Sequence, residues 1–408
     1  MNCRHCNAIL EFNFLDLGSS PPSNAYLKIN ELKKSEIFFP LKVKVCHNCW
    51  LVQTEDYTDA NQLFKSDYAY LSSTSESYLK HAANYSKKMI KDLKLNQDSF
   101  VVEIASNDGY LLRNFVDKKI PCVGIEPTDS TADRAQRLNI PTIREFFGLD
   151  FARKFVRFNK KADLIIGNNV YAHVPDINDF TSGISEVLKE NGVITLEFPH
   201  LLKTIQGAQF DQIYHEHFSY LSLIAVQKIF LRADLKIWKV DEIDTHGGSL
   251  RVYGCHQKSK KFEICESVNI QLKKELDFGL KDLNTYLEFQ AKAEKIKNDF
   301  NEFLVKQKKE GKKIAAYGAA AKGNTLLNYA GIKNDKIDFV CDAAPLKQNK
   351  FLPGSHIPIL DPIVLNSKYV DFIIIFPWNL SDEILNKYGY LKERGTKFVV
   401  VVPKLKFL

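Results

Sequence analysis

The chain has 408 residues, of which 45% are hydrophobic and 26% are charged. This composition excludes a disordered or fibrous protein and predicts two or three folded domains of roughly 150 residues each. The net charge of +7 is modest, which argues against nucleic acid as a partner, because nucleic-acid binding usually brings a stronger basic stripe. No segment has the roughly 18 apolar residues of a membrane span, and the start lacks the apolar core of a signal peptide, so we expect a cytoplasmic protein.

Four of the eight cysteines form two C-x-x-C pairs in the first block of the chain, Cys3/Cys6 and Cys46/Cys49. Each such turn presents two thiolates, and two turns supply the four sulfur ligands of a tetrahedral zinc site. Disulfides, which the cytosol disfavours, and unrelated core cysteines are the alternatives. Since four cysteines leave no open coordination position, the sequence predicts a structural Zn²⁺ in a zinc-binding domain of residues 1–60.

A second block follows a linker, residues 61–97, in which a helical pattern runs from about residue 75 to 94. The block itself is predicted at residues 98–255. Its predicted strands are 99–105, 122–126, 162–167, 192–198 and 246–253. Strands that alternate with helical segments predict a Rossmann-like α/β fold with a mostly parallel sheet.

The third block, residues 256–408, opens with a charged helical region at about 268–309. The strand–helix rhythm then restarts. Predicted strands lie at 313–318, 337–342, 372–376 and 398–402. The sequence therefore predicts a second Rossmann-like α/β unit.

The first strand of the second block ends in an acidic residue and a tight turn, and the next strand ends in Glu126, 23 residues after Glu103. Small residues in such a turn let the backbone approach a nucleotide closely, and an acid at this spacing accepts hydrogen bonds from ribose hydroxyls. NAD-binding proteins share this device, so the class of nucleotide stays open at this point. The candidate cofactor-binding residues are Glu103, Ser106, Asn107, Gly109, Glu126, Asn168 and Asn169.

Residues 214–217 are the densest group of reactive side chains, with a phenol, two imidazoles and a carboxylate. They follow the end of a predicted strand, where ligands collect in open α/β sheets. A metal site and a structural hydrogen-bonding cluster are the alternatives to a general acid–base site. His173 and His246 are candidates for the same cleft.

A series of motifs resembles the three-domain sugar C-3′ methyltransferases of deoxysugar biosynthesis. The matching motifs are the paired C-x-x-C with LG (17–18) and P-x-N (22–24) between them, YLSSTS (70–75), EIASNDG (103–109), GIEP (124–127), NNVYAHV (168–174), YHEHFSY (214–220), THGGSLR (245–251), YGAAAKGN (317–324) and PGSHIP (353–358). The order of these motifs along the whole chain carries the resemblance.

The resemblance implies S-adenosylmethionine as the methyl donor and a nucleotide-linked 4-keto deoxysugar as the substrate, methylated at C-3 through an enolate. Such chemistry needs a base of near-neutral pKa and donors for the enolate oxygen. His217 is the expected base, since imidazole titrates in this range. Tyr214, Glu216 and His173 are expected to orient the base or to stabilise the enolate.

Substrate contacts are expected on both sides of the cleft. By resemblance, Tyr68 and Tyr70 close over the cofactor or the sugar. Lys322 is expected to neutralise the diphosphate at a helix N-terminus, and the alternative for this loop is a second, empty Rossmann turn. The candidate substrate-binding residues are Tyr68, Tyr70, His246, Lys322 and Asn324.

Three other enzyme classes are alternatives to a C-methyltransferase. A sugar O- or N-methyltransferase would place a similar base beside its acceptor, and only the resemblance favours carbon. An NAD-dependent nucleotide-sugar oxidoreductase or epimerase would need a G-x-G-x-x-G turn, and neither α/β block has one. A zinc-binding nucleic-acid methyltransferase would need a basic groove with exposed aromatic residues.

Overall fold

The computed structural model describes residues 1–57 and 71–408. The strands are β1 (Phe12–Ser20), β2 (Phe39–Val45), β3 (Val52–Thr54), β4 (Val101–Ile104), β5 (Cys122–Ile125), β6 (Thr142–Ile143), β7 (Ala162–Asn168), β8 (Leu188–Pro199), β9 (Ser219–Tyr220), β10 (Leu235–Ile243), β11 (Ser249–His256), β12 (Ile314–Tyr317), β13 (Phe339–Cys341), β14 (Ile359–Leu360), β15 (Phe372–Ile375), β16 (Lys397–Val400) and β17 (Lys406–Phe407). The α-helices are α1 (Glu76–Leu93), α2 (Arg113–Val116), α3 (Asp129–Arg137), α4 (Leu149–Phe158), α5 (Ile177–Val187), α6 (Leu201–Gln206), α7 (Leu223–Arg232), α8 (Glu266–Phe278), α9 (Leu283–Leu287), α10 (Phe289–Lys309), α11 (Ala321–Ala330) and α12 (Ser381–Tyr388).

The first sheet is antiparallel, with the strand order β1-β2-β3-β9. Buried Leu41, Val43 and Val45 alternate with more exposed neighbours along β2, as expected for a strand with one face on a core. The first C-x-x-C turn precedes β1, and the second joins β2 to β3. The fourth strand, β9, belongs to the second block and pairs with β3 through Gln53 and Ser219.

Helix α1 matches the helix predicted for the linker. The Ser75 hydroxyl accepts a hydrogen bond from the Tyr78 N–H at its start, and Lys94 ends it in the left-handed conformation. Ala82, Tyr85 and Met89 are buried at the three- and four-residue spacing of one helix face. That face packs on the second sheet, where the Tyr85 hydroxyl lies beside Thr195 of β8.

The second sheet has the order β10-β11-β8-β7-β4-β5-β6. Its strands β4 to β8 are parallel, and β10 and β11 extend it in antiparallel pairing. Every residue of β4 and β5 is buried, as expected where helices cover both faces of a parallel sheet. The chain order reverses at β4, which lies between β5 and β7, so a crevice opens at the carboxyl ends of these three strands.

The third sheet repeats the doubly wound arrangement, with the order β14-β13-β12-β15-β16-β17. All pairs are parallel except the last. The first and third blocks share one hydrophobic core, in which Phe14 of β1 stacks on Phe289 of α10 with ring centroids 4.5 Å apart. The predicted fold class is confirmed: a four-cysteine domain, a Rossmann-like domain and a second Rossmann-like domain.

Two predicted elements differ from the structure. The closing strand begins at Ser249, not at residue 246, because His246, Gly247 and Gly248 all have positive φ and form a turn. The helical region 268–309 is three helices, interrupted at Gly279, whose φ of 95° caps α8. Within residues 1–57 and 71–408, no helix is long and apolar enough to cross a bilayer.

Candidate active site

A cavity of about 860 Å³ lies at the carboxyl ends of β4, β5 and β7. It is near the upper end of the roughly 300–1,000 Å³ range of small-molecule sites, so it has room for two ligands side by side. All three blocks contribute to its wall, as Asn24, Glu126 and Lys322 illustrate.

The turn after β4 has the conformation that a nucleotide-binding loop requires. Ala105, Asn107 and Gly109 have φ values of 55°, 51° and 79°, which brings the backbone to the cavity without bulky side chains. One Glu126 carboxylate oxygen accepts the Asn107 N–H at 2.9 Å, and the other accepts the Thr128 N–H at 3.0 Å. Glu126 is thereby fixed against the loop, at the wall of the cavity.

The predicted cofactor-binding residues divide into two groups. Asn107, Glu126, Asn168 and Asn169 line the cavity. Among the described residues, Glu103, Ser106 and Gly109 are not part of its wall: Glu103 lies under the loop, where burial and the neighbouring carboxylates raise its pKa well above the usual range. Ser106 and Gly109 pack closely on Gly124 and Ile140, so that a Cβ at Gly124 would lie 2.2 Å from Ser106 Oγ.

Sequence reasoning missed the segment after β6. Glu145, Phe146 and Phe147 line the cavity beside Glu126. A carboxylate followed by two aromatic residues is a usable signal, but β6 is only two residues long and was not recognised as a strand. The segment offers one hydrogen-bond acceptor and two apolar ring faces to a nucleoside.

Tyr214 and His217 form a hydrogen-bonded pair in the cavity wall. His217 Nδ1–H donates to the Gln212 carbonyl at 2.8 Å, which places the ring's lone pair on Nε2. Nε2 in turn accepts the Tyr214 O–H at 2.7 Å. Burial and the nearby His173 lower the pKa of His217 well below its usual range, so the imidazole is neutral at pH 7.

His173 faces His217, with ring centroids 4.6 Å apart. Its Nδ1–H donates to the Glu216 carbonyl at 2.8 Å, which gives it the same tautomer as His217. Burial lowers the pKa of His173 to about 4. Two neutral imidazoles therefore present their Nε2 atoms in one part of the cavity.

Glu216 is not part of the cavity wall that the described part of the chain forms, although Tyr214 and His217 on either side of it in the sequence are. Its carboxylate accepts the Asn24 side-chain N–H at 3.1 Å, and burial raises its pKa. Its main-chain carbonyl, not its carboxylate, is the group that contacts His173. Any role of this carboxylate is therefore exerted through Asn24, which lines the cavity.

The predicted substrate-binding residues also divide. His246 and Lys322 line the cavity, and burial lowers the pKa of His246 to about 4 and that of Lys322 to about 8. Asn324 is buried and donates to the Ser23 carbonyl at 2.6 Å instead. Tyr68 and Tyr70 lie outside the described residues.

Lys322 is the second residue of α11. Its ammonium donates to Asn379 Oδ1 at 2.9 Å and lies 4.5 Å from the Trp378 ring centroid. The Trp378 indole N–H in turn donates to Asp211 at 2.8 Å, and the Asp211 charge raises the pKa of Lys322 against the effect of burial. A buried cation beside a helix N-terminus is suited to a phosphate group.

The Rossmann turn of the third block is filled by the chain's own side chains. Asp342, at the end of β13, accepts the Ala319 N–H at 2.8 Å. The Ala319 carbonyl accepts from Lys347 at 2.9 Å and from the Tyr26 hydroxyl at 2.6 Å. The acid that would contact a ribose in a dinucleotide-binding domain is thus engaged within the protein.

The four cysteines of the first block converge. All four Sγ atoms lie within 4.8 Å of one another, and the pairs Cys3–Cys49 and Cys6–Cys46 are each 3.5 Å apart. These separations are too long for disulfides, whose S–S bonds are about 2.05 Å. Four sulfurs bound tetrahedrally at about 2.3 Å from zinc would be about 3.8 Å apart, so the cluster fits a structural Zn²⁺.

The cavity at the sheet's switch point, the cofactor loop and the four-cysteine domain define an S-adenosylmethionine-dependent methyltransferase with an attached zinc domain. Residues 3–64, 78–240 and 244–403 match three family models, described respectively as "Putative zinc binding domain", "Methyltransferase domain" and "C-methyltransferase C-terminal domain". The chain is 31% identical to the C-methyltransferase NovU of Streptomyces niveus over 402 residues, which cover 98% of this chain and 95% of NovU. The chain belongs to this family of C-methyltransferases.

Two solved structures are similar to less than half of the chain. One is the PH0226 protein of Pyrococcus horikoshii OT3, at 15% identity and a TM-score of 0.37, covering 46% of this chain and 95% of that one. Another is magnesium protoporphyrin IX methyltransferase of Synechocystis PCC 6803 with bound S-adenosylmethionine, at 12% identity and a TM-score of 0.34, covering 44% and 79%.

Proposed function

We propose that the protein transfers a methyl group from S-adenosylmethionine to C-3 of a nucleotide-linked 4-keto deoxysugar in the cytoplasm. The observation that carries the proposal is the Tyr214–His217 pair in the wall of the cavity, in which a neutral imidazole has its acceptor nitrogen Nε2 bonded, within the residues that the structure describes, only by the mobile hydrogen of a phenol. Carbon methylation needs such a base, because the attacking carbon must first lose a proton.

The base acts on a carbon that the neighbouring ketone makes acidic. His217 Nε2 takes the C-3 proton, and its Nδ1–H stays bonded to the Gln212 carbonyl. Burial keeps His217 neutral and so able to accept a proton at pH 7, but it also lowers the pKa of the free imidazole below the near-neutral value that the sequence predicts for the base. The donor supplies an electrophilic methyl group, and the C–C bond forms as the C–S bond breaks.

Tyr214 has a second task in this scheme. Without substrate, its O–H donates to His217 Nε2. For proton transfer this hydrogen turns to the ketone oxygen at C-4, which frees the Nε2 lone pair for the C-3 proton. Once Nε2 carries that proton, it donates to the phenol oxygen, and the phenol O–H stays on the enolate oxygen at C-4. A donor aimed at the developing negative charge is the main means of stabilising such a transition state.

The nucleotide would lie toward the third block. Ala320, Ala321 and Lys322 line the cavity where α11 begins. Exposed N–H groups of a helix's first turn and a lysine ammonium both favour a diphosphate. Glu126 and the segment 145–147 would hold the adenosine of the donor, and Asn168 and Asn169 border the same region.

The test is mass spectrometry of the protein with S-adenosylmethionine and a panel of nucleoside-diphosphate-linked 4-keto-6-deoxysugars, with the C-3 position followed by deuterium incorporation in heavy water. His217→Gln should abolish both methylation and exchange. The matched control is His215→Gln, because His215 is buried two residues away and bonds the Pro40 carbonyl, outside the cavity wall. If the wild-type protein showed no exchange and no transfer with any of the keto sugars, the enolate mechanism would be refuted.

A further inference from the structure

The side chain of Arg4, inside the first C-x-x-C turn, joins the zinc domain to the second block. One guanidinium N–H donates to the Pro175 carbonyl at 2.7 Å. The other terminal nitrogen donates to the Thr54 carbonyl at 2.9 Å and to Asp56 at 2.8 Å. The guanidinium carbon lies 5.4 Å from the Phe218 ring centroid, and only 5% of the side chain is exposed.

These contacts reach the two chain segments that carry the histidine pair. Pro175 follows His173 by two residues, and Phe218 directly follows His217. The same two segments are joined by the Phe218 N–H, which donates to the Ala172 carbonyl at 2.8 Å. Arg4 therefore binds both of the segments that carry the histidine pair.

The position of Arg4 is itself determined by the zinc domain. The Arg4 N–H donates to Gln53 at 2.9 Å, and Gln53 also contacts the Cys3 sulfur at 3.2 Å. His5 Nδ1–H donates to Asn178 Oδ1 at 2.8 Å, and the Asn178 amide returns hydrogen bonds to the Arg4 and His5 carbonyls. The turn thus docks on α5 through the Arg4 and His5 carbonyls and the His5 ring. This contact directs the Arg4 side chain toward the segments that carry the histidines.

A second connection runs through β3. The Thr54 N–H donates to the Phe218 carbonyl at 3.1 Å, and the Thr54 hydroxyl donates to the His217 carbonyl at 3.3 Å. Thr54 also supplies a carbonyl to Arg4. One residue of the zinc domain is therefore bonded at once to Arg4 and to the main chain of His217.

We propose that Arg4 is a positioning residue for the His173–His217 pair, and that the zinc turn acts on the reaction through it. The inference rests on the proposed function, in which His217 removes the acceptor proton. As far as the described ranges of the chain go, Arg4 is not itself part of the cavity wall and reaches it only through the Pro175 carbonyl, so its loss should change the geometry of proton removal and leave donor binding intact. A misplacement of about 1 Å costs on the order of 100-fold in rate.

The experiment compares Arg4→Ala and Arg4→Lys with Arg394→Ala as the matched control. Arg394 also donates to a main-chain carbonyl, that of Asn366, but lies in the third block away from the cavity. The rate of deuterium incorporation at the acceptor carbon, measured without donor, should fall roughly 10- to 100-fold in both Arg4 variants. Zinc content by elemental analysis and the Kd of S-adenosylmethionine should stay within twofold of wild type.

Two further measurements separate positioning from a folding defect. Guanidinium ion should restore exchange to Arg4→Ala and leave Arg394→Ala unchanged, because it can fill the vacated site. In protein labelled with ¹⁵N-histidine, the Nδ1–H resonances of His173 and His217 should shift in Arg4→Ala and return with guanidinium. These resonances need no substrate, so they test the inference even if the acceptor class is wrong.

Three outcomes would overturn the inference: unchanged exchange in Arg4→Ala, unchanged histidine resonances, or zinc and donor binding lost in parallel with activity and not restored. Absence of exchange in the wild-type protein would instead count against the proposed function.

Discussion

The fall in activity at alkaline pH, which is the alkaline limb of the pH–rate profile, should reflect the deprotonation of Lys322. Burial lowers the pKa of this ammonium to about 8, while Asp211 acts in the opposite direction. If the ammonium binds the substrate diphosphate, the competent fraction of free enzyme falls from about nine-tenths at pH 7 to about one-tenth at pH 9. The kcat/KM for the nucleotide sugar, which reports the free enzyme, should then fall about tenfold over this interval.

Two substitutions test whether Lys322 causes this fall in kcat/KM at alkaline pH. Lys322→Arg should remove the limb, since a guanidinium stays charged throughout this range. Asp211→Asn should move the limb to lower pH, because it removes the negative charge that stabilises the ammonium but keeps an oxygen for the Trp378 indole N–H. Steady-state kinetics from pH 6.5 to 9.5 at saturating donor are the assay. A flat wild-type profile, or the same limb in Lys322→Arg, would refute the reasoning.

Two further predictions concern stability. Burial lowers the pKa of His173 and His246 to about 4, below the value of about 6.5 in the unfolded chain. Each histidine therefore contributes stability that is present above pH 6.5 and is lost as the pH falls toward 4. Between pH 7 and 5 the loss in the free energy of unfolding is about 2 kcal/mol per histidine. Urea unfolding of His246→Gln should show a correspondingly smaller loss over this interval, and an identical pH dependence would contradict the assignment. Cys46→Ser should lose the metal and lower the Tm, because a structural zinc site contributes its binding free energy to folding; one retained zinc per chain with an unchanged Tm would contradict the four-cysteine site.

The parts of the site that depend on short sequence patterns were predictable. The two C-x-x-C turns bring four sulfurs together as expected, and the motif of residues 214–217 does supply two residues to the cavity. Four parallel strands of the second sheet, β4, β5, β7 and β8, were located because buried parallel strands are continuous apolar runs, whereas β6 and β10 were not predicted. In each case the signal lies within a few adjacent residues.

The rest of the candidate site depends on contacts between distant parts of the chain, which short sequence patterns do not reveal. Asn24 lines the cavity only because the first block packs against the third, and no local pattern indicates this. Glu216 is adjacent to His217, but the turn sends its carboxylate toward Asn24. Glu126, the acid with the spacing of a ribose-binding residue, does reach the cavity wall, whereas Glu103, the other acidic candidate, lies under the loop. Spacing identifies candidates, and the direction of each side chain is decided by tertiary packing.

The pairing of β3 with β9 has a consequence for how the protein can be assembled. As the chain emerges from the ribosome, the edge of β3 has no partner until residues 219–220 have been made, so the first sheet is completed only after most of the second block exists. An isolated fragment of the first block would carry an open strand edge, a feature that promotes aggregation. It would also expose the face that Phe14 buries against α10. The zinc domain therefore depends on the second block for its fourth strand and on the third block for the cover of its apolar face.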